Sequence, residues 1–223
     1  MEQIPPVQNW GKKFATVPLK TRLAYDRFRI VAEENFTTVR IECTQTLSTS
    51  FSLQEGRFRD IDIPSTDYCW IEGDKKILLL QFSVGKTVDG VLSSEPFMAM
   101  IPPIEQFANS YTLASVPDRL QNYTHFMNLY ILKDFFQPSE IFLDGQSLAE
   151  LNVTFTAIQH LGVTEMYGAQ VEISGGVQTL KHFNKAAGIG VLVYGFSLTN
   201  SYGYSGGLRL QDFSEVPPEE ESG

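Results

Sequence analysis

Apolar and polar positions alternate with a period of two along much of this chain, which is the signature of half-buried strands. In TTVRIECT (residues 37–44) Val39, Ile41 and Cys43 share one face, and in DIDI (60–63) two isoleucines alternate with Asp60 and Asp62. Two segments, ILLLQFSV (77–84) and VLVYGFSL (191–198), are instead apolar nearly throughout. Such strands are expected at the centre of a sheet with both faces covered. The pattern predicts strands over 14–18, 27–32, 37–44, 49–53, 58–63, 68–72 and 76–84. A second series covers 110–114, 128–132, 140–143, 152–157, 169–174, 178–182 and 190–198. Turn signals separate them at Glu34-Asn35, Glu55-Gly56, Gly73-Asp74, Asp89-Gly90, Asp144-Gly145 and Gly175-Gly176. Helical evidence is confined to single turns at 102–107 and 146–151.

The pattern also occurs twice. FRIVAEENFTTVRIE (28–42), DIDIP (60–64) and KKILLLQFSVG (75–85) are answered by NLYILKDFFQPSEIFLDG (128–145), AQVEIS (169–174) and GIGVLVYGFS (188–197). Such periodicity predicts two copies of one β unit. The fold class expected is all-β, with two tandem, structurally related antiparallel β-sandwich (jelly-roll-like) halves packed together. The halves are expected at 11–100 and 101–210, between an N-terminal extension (1–10) and an acidic disordered tail (211–223). The stretch 87–115 is rich in proline, methionine and aromatics, too apolar for a free linker. It reads as a connection packed on both halves or as an exposed partner-binding surface.

Composition narrows the function. A net charge of −9 excludes the basic footprint of a nucleic-acid binder. No window of 18 or more apolar residues is present, so no membrane insertion is expected, and MEQIPPVQNWGKK is not a signal peptide. Three N-x-S/T sequons, at Asn35, Asn122 and Asn152, nevertheless point to an extracellular excerpt of a longer chain. The two cysteines, Cys43 and Cys69, both fall on apolar faces of the first half. They read as a disulfide adding roughly 3–4 kcal/mol, or as two buried thiols.

Little catalytic chemistry survives inspection. Gly203-Tyr204-Ser205-Gly206-Gly207 matches G-x-S-x-G, but no helix pattern follows and no histidine comes later than His182. Gly85-Lys86-Thr87 lacks the upstream glycine of a phosphate loop, since Leu80 stands there. His125, His160 and His182 have no metal-ligand spacing. Asp60, Asp62 and Asp67 offer calcium ligands, although alternation with isoleucine already explains the first two. No catalytic, cofactor or metal residue is expected. Tyr202 and Tyr204, flanking Gly203, read as adaptable contacts or as tyrosines packed across a β-corner.

Three segments carry a resemblance: GKKFATVPLKTR (11–22), QFSVGKTVDGVLSSEPFMAMIPPIEQFANSYTLAS (81–115) and VLVYGFSLTNSYGYSGGL (191–208). In this order they resemble the N-terminal domain of the IgGFc-binding protein family, with Ser205 where that pattern has proline. The resemblance implies a secreted, multidomain, mucus- or surface-associated adhesive protein with no catalytic residues to carry over. The function expected is a non-catalytic extracellular module that binds a protein or glycoprotein. Its contacts are expected on Asp89, Gly90, Glu95 and Phe97 of one loop and on Tyr202 and Tyr204 of the other. A carbohydrate-binding module using Tyr202, Tyr204 and Trp70 is the alternative. An enzyme would require a pocket lined by close titratable side chains.

Overall fold

The computed structural model describes residues 3–45, 48–93, 95–117 and 122–210. The acidic tail lies outside the described residues, among which sixteen strands form three antiparallel sheets. The first sheet holds β1 (Gly11–Thr16), β2 (Tyr25–Ala32), β3 (Thr37–Cys43), β4 (Ser48–Leu53), β5 (Phe58–Pro64), β6 (Cys69–Phe82) and β7 (Met98–Met100). After a single helical turn, α1 (Lys86–Asp89), come β8 (Ser110–Ala114), β9 (Thr124–Leu132), β10 (Ile141–Leu143) and β11 (Gln146–Ser147). They are followed by β12 (Phe155–His160), β13 (Val163–Ile173), β14 (Val177–His182), β15 (Ile189–Phe196) and β16 (Ser201–Ser205). The second sheet runs β12-β13-β9-β15-β16 and the third β11-β10-β14-β8.

The chain is all-β, and its sheets stack as layers with the second sheet in the middle. Phe126, Tyr130, Leu192, Tyr194 and Phe196 of β9 and β15 join a core with Phe28, Ile30, Ile41, Ile71 and Leu79 of the first sheet. The alternate residues Met127, Leu129, Ile131, Val191 and Val193 pack on Ile141, Leu143 and Leu180 of the third. This double burial explains why 191–198 is apolar at almost every position. The earlier apolar run behaves differently. Ile77 and Leu79 enter the main core, while Leu78 and Leu80 form a small outer cluster near Trp10, Met100 and Leu208.

The order β5-β2-β6 recurs as β13-β9-β15, the strands that the internal repeat equates. The repeat diverges at its second strand: β3 pairs with β6, whereas β10 pairs with β14 in another sheet. The two stretches supply opposing layers of one core.

Local rules were followed in most places. Asp144-Gly145 and Leu161-Gly162 have positive φ at both positions (49° and 86°; 49° and 77°) and close tight hairpins. Gly73-Asp74 does not reverse the chain. The two strands expected at 68–72 and 76–84 are one long strand, β6, bent at that point. Its first part pairs with β3 and its second with β2. A Cβ at Gly73 would lie 2.5 Å from the Lys75 carbonyl, so only glycine fits the bend.

Cys43 and Cys69 sit opposite each other on β3 and β6 and are joined by a disulfide. Replacing both by alanine should lower stability by about 3 kcal/mol and the melting temperature by roughly 6–12 °C, measured by thermal unfolding. An unchanged melting temperature would show that the strand pair needs no crosslink.

Candidate binding surface

Residues 83–97 cross from the end of β6 to β7 at one end of the layered body. Gly85 starts α1 and Gly90, with φ 75°, ends it in the left-handed conformation that glycine adopts without steric cost. The turn aims Asp89 at Arg22, and both side chains of this ion pair are fully buried (0% exposed). The Asp89 carboxylate also accepts from the backbone N–H of Val91 (3.1 Å) and of Leu23 (3.4 Å). Arg22 lies over the Phe196 ring at 5.4 Å. Further along, Glu95 pairs with Lys86 (3.1 Å) and its carbonyl accepts from the Ser201 hydroxyl. Phe97 packs on Tyr194 and Phe196, with centroids 6.3 and 5.8 Å away. Its ring occupies the space above Gly203, where a Cβ would fall 2.1 Å from Phe97 Cε2.

The structure therefore brings together the two loops singled out in the sequence. It also shows that several of their residues are committed to the fold. Asp89 is an ion-pair partner and Phe97 belongs to the core edge. Residues 201–205, expected within a loop, form β16 on the edge of the middle sheet. The Tyr204 hydroxyl donates to the carbonyl of Ala114 (2.8 Å) and accepts from its N–H (3.1 Å), clamping β16 to β8. Tyr202 bonds His125 Nδ1 at 2.8 Å, and its burial pushes the phenol well above the usual tyrosine range. Both tyrosines are half-buried on the edge strand β16. What faces solvent is a set of leucines that sequence reasoning passed over: Leu23 (75% exposed), Leu92 (70%) and Leu198 (66%). Leu92 helps to line a cleft of about 330 Å³ with Thr21, Thr124, Phe126 and Phe196. Gly90 is exposed and Glu95 half-buried.

Residues 1–195 match the family described as IgGFc binding protein. The chain belongs to that family. The match ends within β15, so β16 with Tyr202 and Tyr204 lies beyond it. Among curated proteins and among solved structures nothing matches. The IgGFc-binding family is one of extracellular, non-enzymatic binding modules. No helix among the described residues is long and apolar enough to cross a membrane.

The structure also places the remaining candidates of this IgGFc-binding domain. Asn35, Asn122 and Asn152 are all exposed. Trp70, offered as a sugar platform, is 3% exposed and cannot stack on a ligand. Ser205 sits within β16 rather than at a strand-to-helix elbow. Asp60 and Asp62 face Arg29 and Arg27, which accounts for them without calcium. His182 is a buried structural residue, its Nδ1 accepting from Asn184 N–H (3.1 Å) and its Nε2 donating to the Phe135 carbonyl (2.9 Å).

A cleft of about 460 Å³ gathers titratable groups that include a histidine: Arg40, Glu72, Asp74 and His160. Each carboxylate there already serves the fold. Glu72 accepts from Trp70 Nε1 (3.3 Å), Asp74 from Thr38 N–H (2.8 Å), and neighbouring Glu42 from Leu161 N–H (2.7 Å). His160, stacked on Trp70 at 5.5 Å, faces Glu42 (3.5 Å) and Glu72 (3.3 Å). The cluster latches β12 to the first sheet.

Proposed function

We propose that this chain is a non-catalytic extracellular recognition module whose protein or glycoprotein partner docks on residues 83–97 and 197–205. We place it in a secreted, mucus- or surface-associated adhesive protein, with glycans on Asn35, Asn122 and Asn152. The observation that carries this reading is the buried Arg22–Asp89 ion pair. It fixes a loop bearing Leu92, beside Leu23 and the turn that carries Leu198, so the surface needs no ordering when a partner arrives. Leu92 at the edge of a small cleft, with the exposed Leu23 and Leu198, supplies apolar contact area, and the rigid β body supplies position.

The test is surface plasmon resonance with purified immunoglobulin Fc and purified mucin glycoproteins as analytes. Leu92→Asp should weaken capture of whichever analyte binds at least tenfold, because a charge would be desolvated in the contact, while the melting temperature stays within a few degrees of the parent chain. Capture that is indifferent to Leu92→Asp and to Leu198→Asp would remove the proposal.

A further inference from the structure

The outer face of the first sheet carries a second feature, which borders residues 83–97 but includes none of Leu23, Leu92 and Leu198. Along β2 and β5 two arginine–carboxylate forks stand in register. Arg27 Nε and Nη2 donate to Asp62 (2.7 and 2.9 Å), and Arg29 Nε and Nη2 donate to Asp60 (2.8 and 2.9 Å). Arg27, Arg29 and Asp60 line a groove of about 390 Å³ whose walls include Tyr25, Phe82, Val88 and Pro96, while Asp62 lies outside its lining. Aromatic rings pin the guanidinium groups. Arg29 lies 4.0 Å from the Phe58 centroid and 5.6 Å from Phe82, and Arg27 lies 6.0 Å from Tyr25. Among the described residues, Nη1 of neither arginine makes a hydrogen bond.

We propose that this groove binds a neutral saccharide. Three properties select that ligand class. First, each fork is charge-neutral and offers both kinds of partner: Nη1 donates, and the carboxylate oxygens retain lone pairs that accept. A hydroxyl group is the ligand that uses both. A phosphate, sulfate or carboxylate would meet Asp60 and Asp62 on a chain of net charge −9, and a cation would meet two guanidinium groups. Second, Arg27 and Arg29 are two residues apart on one strand, roughly 7 Å, so their Nη1 donors address two separate hydroxyls of one oligosaccharide. Third, Phe82, Val88 and Pro96 give an apolar wall for the C–H face of a sugar ring, and the stacked arginines are already ordered before binding. The forks are not needed to hold the sheet. Their side chains are 31–47% exposed, and pairs of that kind add little to stability.

The experiment uses the full chain on an array of neutral, sialylated and sulfated oligosaccharides, followed by calorimetric titration with a neutral oligosaccharide that binds. Neutral hexose and N-acetylhexosamine glycans should be retained. Arg29→Met and Asp60→Asn should each weaken them at least tenfold with the melting temperature little changed, while Leu92→Asp leaves them unaffected. That last comparison separates failure of this proposal from failure of the leucine surface. Mucin before and after enzymatic deglycosylation distinguishes a glycoprotein-borne sugar from a free oligosaccharide as the source. Absence of binding at millimolar neutral glycan overturns the proposal. So does binding unaffected in both fork variants, or a preference for the sulfated or sialylated members.

Discussion

Asp89→Ala should cost about 3–5 kcal/mol in urea unfolding, the largest effect expected of any single polar substitution in this chain. The carboxylate it removes is the fully buried counter-charge of Arg22. Arg22 Nε and Nη1 already lack hydrogen-bond partners, so the guanidinium would be left in the interior without its hydrogen-bonded counter-charge, the carboxyl of Asp26 being the remaining acidic group that it feels. The cost is that of a stranded charge, not of a lost bond, and the double variant Arg22→Met, Asp89→Leu should therefore recover most of it. If the double variant were as unstable as the single one, packing of the loop and not charge compensation would hold residues 83–97 in place.

A second large effect concerns Asp26, buried on the inner face of β2 at the junction of the first two sheets. Burial pushes its carboxyl up to about 7, against the hydrogen bonds it accepts from Leu19 N–H (3.2 Å) and Gln81 Nε2 (3.1 Å). The unfolded chain releases this proton near pH 4, whereas the folded chain keeps it to about pH 7. Folding thus takes up a proton between those values. The contribution of Asp26 to stability is fully present below about pH 4, declines as pH rises, and is gone above about pH 7. The whole swing is at most about 4 kcal/mol. Asp26→Asn, which stays neutral, should match the parent chain near pH 4 and exceed it by a few kcal/mol at pH 8. Urea midpoints across that range check this; a variant weaker by the same amount at every pH would show that the carboxyl is ionised in the fold.

Much of the strand pattern was legible because alternation reports burial directly. Inward Phe28 and Ile30 against outward Arg27 and Arg29 placed β2, and the same rule placed Cys43 and Cys69 on apolar faces. Alternation also carried a signal left unused: Asp26 falls on the inward face with Phe28 and Ile30, which marks a buried carboxylate. Features set by distant packing could not be read. Gly73 looks like a turn residue, and only the partners of β6 on either side of it make it a bend. Gly203 broke the apparent strand at 201–205, because a glycine chosen to admit the Phe97 ring is indistinguishable in sequence from one chosen for a turn. Polar TEMYG hid the first part of β13, which reaches back to Val163. Arg22 and Asp89 lie 67 positions apart, with nothing local to join them.

The claim that matters most is that residues 83–97 form a preformed surface. Amide hydrogen exchange on the unliganded chain tests it directly. The N–H groups of Ser83, Gly90 and Val91, bonded respectively to Phe97 O, Lys86 O and Asp89 Oδ1, should exchange as slowly as those of β16, and Asp89→Ala should release Val91. Rapid exchange at these three amides in the parent chain would contradict the account, since a segment that opens freely presents no fixed surface to a partner.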